Sequence, residues 1–72
     1  MDATEASRRL LLAEERVARA SRRLKYLRDG ELLGYHSEEL YRAALREYRD
    51  AQQALLAARY VAAVVRPELL AA

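Results

Sequence analysis

The sequence predicts an all-α protein, an antiparallel two-helix coiled-coil hairpin. Three observations carry that expectation: a composition poor in strand and turn formers, a single break in the chain, and two apolar seams of heptad spacing. The 72 residues include fifteen Ala and thirteen Leu but no Ile, Phe, Trp or Asn, with one Thr, one Pro and two Gly. Ala and Leu head the helix propensity scale, and the β-branched and aromatic residues that strands favour are scarce.

The first helix is expected over about residues 3–29. Ala3, Ala6, Leu10, Ala13, Val17, Ala20, Leu24 and Leu27 keep strict 3-4 spacing, the inward stripe of a coiled coil. Gly30 fits the left-handed position that closes a helix, with Lys25 and Arg28 in the turn before it, where cations suit the dipole. Gly30 and Gly34, the only glycines, bracket the one plausible connection, a loop over about residues 30–36.

The second helix is expected over about residues 37–66. Ser37 reads as its N-cap, and Glu38 and Glu39 place anions in the first turn. Tyr41, Ala44, Tyr48, Ala51, Leu55, Ala58, Ala62 and Val65 repeat the 3-4 spacing, and Pro67 closes the helix before a tail over residues 67–72. At ~1.5 Å per residue both helices are about 40–45 Å long. The whole chain is read as one hairpin domain.

Folding the chain so that Leu27 faces Tyr41 sets every other layer. Leu24 meets Ala44, Ala20 meets Tyr48, Val17 meets Ala51, Ala13 meets Leu55 and Leu10 meets Ala58. Nearly every layer pairs a large residue with a small one, which lets two seams interdigitate. The same register brings Arg23 opposite Glu47 and Arg28 opposite Glu38.

One Ala-rich seam removes little area from water, and below about 70–80 residues a single core rarely supplies more than ~3–5 kcal/mol. The sequence also holds apolar surface that its seam does not use. Leu11, Leu12, Ala54, Leu56, Ala57, Val61, Val64, Leu69 and Leu70 cluster toward the end remote from the loop. They form the candidate protein interface. The hairpin is therefore expected to be completed as a four-helix bundle, by homodimerisation or by docking on a helical partner in a larger assembly.

Catalysis has no support. The chain has no Cys, one His and three Ser. His36 falls in the loop, the seam carries no acid, and no metal-binding or phosphate-cradling motif is present. The reading is non-enzymatic, with no cofactor and no metal. Twelve of the thirteen basic residues are Arg, and the net charge is +2. Arg9, Arg16, Arg19, Arg22 and Arg23 lie on the first helix as a candidate nucleic-acid face, the alternative function, though without aromatic residues interleaved beyond Tyr26. Leu32, Leu33 and Tyr35 form an apolar tip that either caps the coiled coil or contacts a partner.

No run approaches the ~18–20 apolar residues of a membrane span, and no signal sequence is legible, so the cytoplasm is the expected compartment. The stretch from Gly34 to Tyr41 (Gly-Tyr-His-Ser-Glu-Glu-Leu-Tyr) resembles the core of short helical SHOCT-type oligomerisation modules. It covers eight of 72 residues. The same pattern is how a capped helix begins, and it assigns no family. The expected role is assembly: a small adaptor or scaffold subunit acting by protein–protein interaction.

Overall fold

Asp2 starts the first helix. Its Oδ1 accepts a hydrogen bond from the Glu5 backbone N–H at 2.7 Å, and its carbonyl accepts one from the Ala6 N–H at 3.0 Å. That is an N-cap followed three residues later by Glu, a helix start signal legible in the sequence itself. The computed structural model describes residues 2–32 and 38–65, with side chains for 2–30 and 38–65. Within them α1 spans Ala3–Leu32 and α2 spans Glu38–Val65. The two helices pack on each other as a hairpin with principal extents of 47 × 20 × 15 Å.

Gly30 is a correction. It lies inside α1, which continues through Leu32, instead of closing the helix at residue 29. An interior Gly costs a helix only about 1 kcal/mol relative to Ala, and the strong helix formers Glu31 and Leu32 follow it. One weak breaker does not stop a helix that has already propagated over seven turns. Lys25 and Arg28 consequently fall before the last turn, which holds no basic residue. The expected N-cap Ser37, and Pro67 beyond α2, lie outside the described residues.

The expected register is consistent with the residues that share the grooves between the helices. At the end holding Ala3 and Val65, the terminal end, Ala6 and Ala13 line a groove together with Ala54, Ala58 and Val61. Toward the other end, the junction end, Leu24 shares a cleft with Tyr48, and Arg23 shares one with Ala44 and Glu47.

Burial divides the seam by residue size. The buried side chains among the described residues are Ala6, Ala13, Ala20, Ala44, Ala51 and Ala62, and no large side chain is fully buried. Leu10, Val17, Leu24, Leu27, Tyr41, Tyr48 and Leu55 are half-buried. The large-against-small layers therefore fill the line of contact but not a core. Between two helices alone, each of these large side chains keeps part of its surface exposed. The alanines every seventh position, Ala6, Ala13 and Ala20 on α1 and Ala44 and Ala51 on α2, are small enough to sit within the contact itself.

Candidate interaction surfaces

Two kinds of surface stand out, one apolar and one basic. The apolar one is built at the terminal end. On α2, Leu56, Tyr60 and Val64 follow one another at i, i+4 spacing and form a ridge on the side turned away from α1. They are 57%, 73% and 67% exposed. Ala57 is exposed beside them, and the only charge between residues 51 and 65 is Arg59. On α1, Leu11 and Leu12 are also exposed, set among Arg8, Arg9, Glu14 and Glu15.

The candidate interface residues of α2 thus separate into two groups, apart from Leu11 and Leu12 on α1. Leu56 and Val64 stand on the outward ridge, joined there by Tyr60. Ala54, Ala57 and Val61 instead line a shallow groove of about 320 Å³ between the helices, with Ala6, Ala13 and Arg9. Leu69 and Leu70 lie outside the described residues. Tyr60 is not among the interface residues expected from the sequence, although its spacing from Leu56 and Val64 marks it. Tyr26 and Leu40 are exposed toward the junction end, so the apolar surplus is concentrated at the terminal end without being confined to it.

The arginines of the candidate nucleic-acid face do not form one surface. Arg9 donates through Nε to Glu5 at 3.0 Å, and Arg8 donates to the same carboxylate. Arg16 crosses to α2 and holds Glu47 with two bonds, Nε to Oε1 at 2.9 Å and Nη2 to Oε2 at 3.3 Å. Arg16, Arg19 and Arg23 line one cleft with Ala20 and Glu47. Arg22 belongs to the other flank, in a cleft with Ser21, Leu24, Lys25, Arg28, Tyr41 and Tyr48.

The cross-helix ion pairs differ from those expected. Glu47 pairs with Arg16 instead of Arg23, and Glu38 pairs with Arg42 in its own helix instead of Arg28. A register places Cα atoms, whereas an arginine stem reaches more than a helical turn from its own Cα. Arg16 and Arg23 both border Glu47, and the one that presents its Nε–Nη2 edge makes the paired contact. For Glu38, Arg42 lies one turn on along the same helix face.

The Arg16–Glu47 hydrogen bonds hold the Glu47 carboxyl below its ordinary value and raise the Arg16 guanidinium, with the charge of Asp50 a smaller contributor to Arg16. Hydrogen bonds from Arg9 and then Arg8 depress Glu5 in the same way. Both pairs are solvent-exposed, so water and salt screen most of their effect on stability.

Among the described residues no three His, Cys, Asp or Glu side chains gather where they could hold a metal ion. His36, Leu33 and Tyr35, and the side chain of Leu32, fall outside the described residues, so the tip surface does too. No helix among the described residues is long and apolar enough to cross a membrane. Compared with protein-family models, curated proteins and solved structures, the chain matches none.

Proposed function

We propose that this protein is a structural assembly subunit that self-associates through its terminal end, two hairpins completing one four-helix bundle. The observation that carries the reading is the outward ridge of α2, where Leu56, Tyr60 and Val64 stand exposed on a stretch of helix almost free of charge. A helix apolar on its outer side as well as its seam is a helix meant to be covered on both. The burial pattern supports it from the other direction: among the described residues no large side chain is fully buried, and the buried ones are all alanine. A second copy is the occupant best suited to a self-complementary apolar patch, since two-fold pairing buries the same ridge on both chains. Burying a Leu or Val side chain contributes about 1.5–3 kcal/mol.

The reading assigns no catalysis, and its proposed place is the cytoplasm. A helical groove on a larger assembly could take the second copy's position. Contact with nucleic acid through Arg9, Arg16, Arg19, Arg22 and Arg23 has less behind it, because Arg9 and Arg16 are tied to carboxylates and Arg22 faces a different flank.

Sedimentation equilibrium tests the proposal. The wild-type chain is expected at twice its 8.2 kDa mass. Leu56→Glu combined with Val64→Glu is expected to abolish that dimer, while Arg46→Ser, on the charged part of the same helix, leaves it intact. Both glutamates would be exposed in an isolated hairpin. Loss of folding in the double variant therefore supports the proposal as dissociation does. A wild type that sediments as a folded single chain overturns it.

A further inference from the structure

Of the surfaces described, the cleft on the Tyr41–Tyr48 flank of the junction end has the most specific chemistry. One wall is α1, carrying Ser21, Arg22, Lys25 and Arg28; the other is α2, carrying the rings of Tyr41 and Tyr48. The space between them is about 340 Å³. We infer that this cleft binds single-stranded nucleic acid, its bases against the two tyrosines and its phosphates along the three cations. The inference is independent of the proposed assembly and uses the opposite end of the hairpin.

The dimensions match a short stretch of polymer better than a single small molecule. Arg22, Lys25 and Arg28 recur every third residue and cover about 9 Å of helix, at ~1.5 Å rise per residue. Tyr41 and Tyr48 are seven residues apart on the facing helix, about 10 Å by the same rise. The two rings and the three cations thus cover a similar axial length, a span for two or three nucleotides, with the cations stepping about 60° round α1 at each third residue. Both rings are half-buried, anchored at the seam, and so lose little freedom when a base packs on them.

Charge favours an anion here more than on the other flank. The ion pairs among the described residues engage Arg8, Arg9, Arg16 and Arg42, none of which lines this cleft. Arg22, Lys25 and Arg28 have no carboxylate partner among the described residues. Glu38, which precedes Tyr41 by one turn on α2, is already taken by Arg42. On the opposite flank, by contrast, Glu47 sits in the middle of the Arg16–Arg19–Arg23 cleft and neutralises part of it.

The tyrosines select among anions. An acidic peptide would satisfy the cations but offer nothing flat to the rings. Duplex DNA presents phosphates while keeping its base faces stacked inside. An unpaired strand supplies both along the whole span, and base stacking on an aromatic side chain is the usual sequence-tolerant contact in such sites.

Fluorescence anisotropy with labelled oligothymidylate and oligouridylate tests this on the full chain, DNA and RNA arms distinguishing the two sources of the strand. Binding of at least one is expected, weakening about 20-fold between 50 and 200 mM salt if three phosphates are neutralised. Lys25→Glu with Arg28→Glu is expected to abolish it. Tyr48→Leu keeps an apolar seam residue and is expected to weaken it about tenfold, within the range for loss of one stacked base. Circular dichroism of each variant verifies that the helices persist. Arg16→Ser with Arg23→Ser, on the other flank, is expected to leave affinity nearly unchanged. Absence of binding at low salt overturns the inference. So does equal binding of duplex DNA or polyglutamate, or insensitivity to Tyr48→Leu.

Discussion

Along the outward side of α2 the chain changes character halfway. Toward the junction end this side carries Glu38, Arg42, Arg46 and Arg49; beyond Gln52 and Gln53 it carries Leu56, Tyr60 and Val64. The seam underneath does not change with it. Ala20 and Ala44 are buried in the first half, and Ala6, Ala13 and Ala62 in the second. The hairpin is therefore closed in the same way at both ends. The two halves thus differ on their outer side alone, and the apolar outer surface of the terminal half is the part that the proposed self-association would cover.

The largest effect expected within a single chain comes from breaking what both halves share. Ala51 is completely buried at the middle of the contact. Ala51→Leu forces extra volume between two helices that touch through alanine, and a loss of about 1–3 kcal/mol is expected. Urea denaturation measures it, and an unchanged midpoint would show that the helices are not in close contact there.

A smaller change sharpens the boundary of the junction half. With Gly30 helical, Gly30→Ala is expected to stabilise the protein by about 0.5–1 kcal/mol. The opposite sign in the same denaturation experiment would return Gly30 to the left-handed cap position read from the sequence.

The smallest effect is electrostatic and joins the halves across the groove. Arg16 holds the Glu47 carboxyl below its ordinary value of 4.5. A carboxyl depressed in the folded state lends stability that is present above that value and lost as pH falls through the lower folded value. Glu47→Gln is therefore expected to melt slightly below wild type at neutral pH, with the difference disappearing on acidification below about 4.5 and shrinking in high salt. A difference that grows with acid would contradict the assignment.

Much of this architecture was legible in the sequence, because strict 3-4 spacing is a property of the backbone. Positions Ala6 to Leu27 and Tyr41 to Val65 can face inward together only if both segments are helical. The surplus of Leu56 and Val64 was legible for the same reason. What escaped depends on side-chain reach and on contributions from two helices at once. Arg16 and Arg23 occupy one line, and the register that sets Arg23 opposite Glu47 does not fix which of the two side chains holds it. Gly30 carries a local signal that the rest of α1 outweighs. The cleft of Arg22, Lys25 and Arg28 gains its aromatic wall from Tyr41 and Tyr48, at least thirteen residues further along the chain. Counting aromatic residues along α1 alone finds only Tyr26.

The central claim is that the terminal half is completed by a second copy. The most direct measurement is the thermal unfolding midpoint of the wild-type chain across about two decades of protein concentration. If folding is coupled to association, mass action raises the midpoint steadily with concentration. A midpoint that stays constant over the whole range, with the mass of a single chain throughout, would show that the hairpin stands alone and contradict the account.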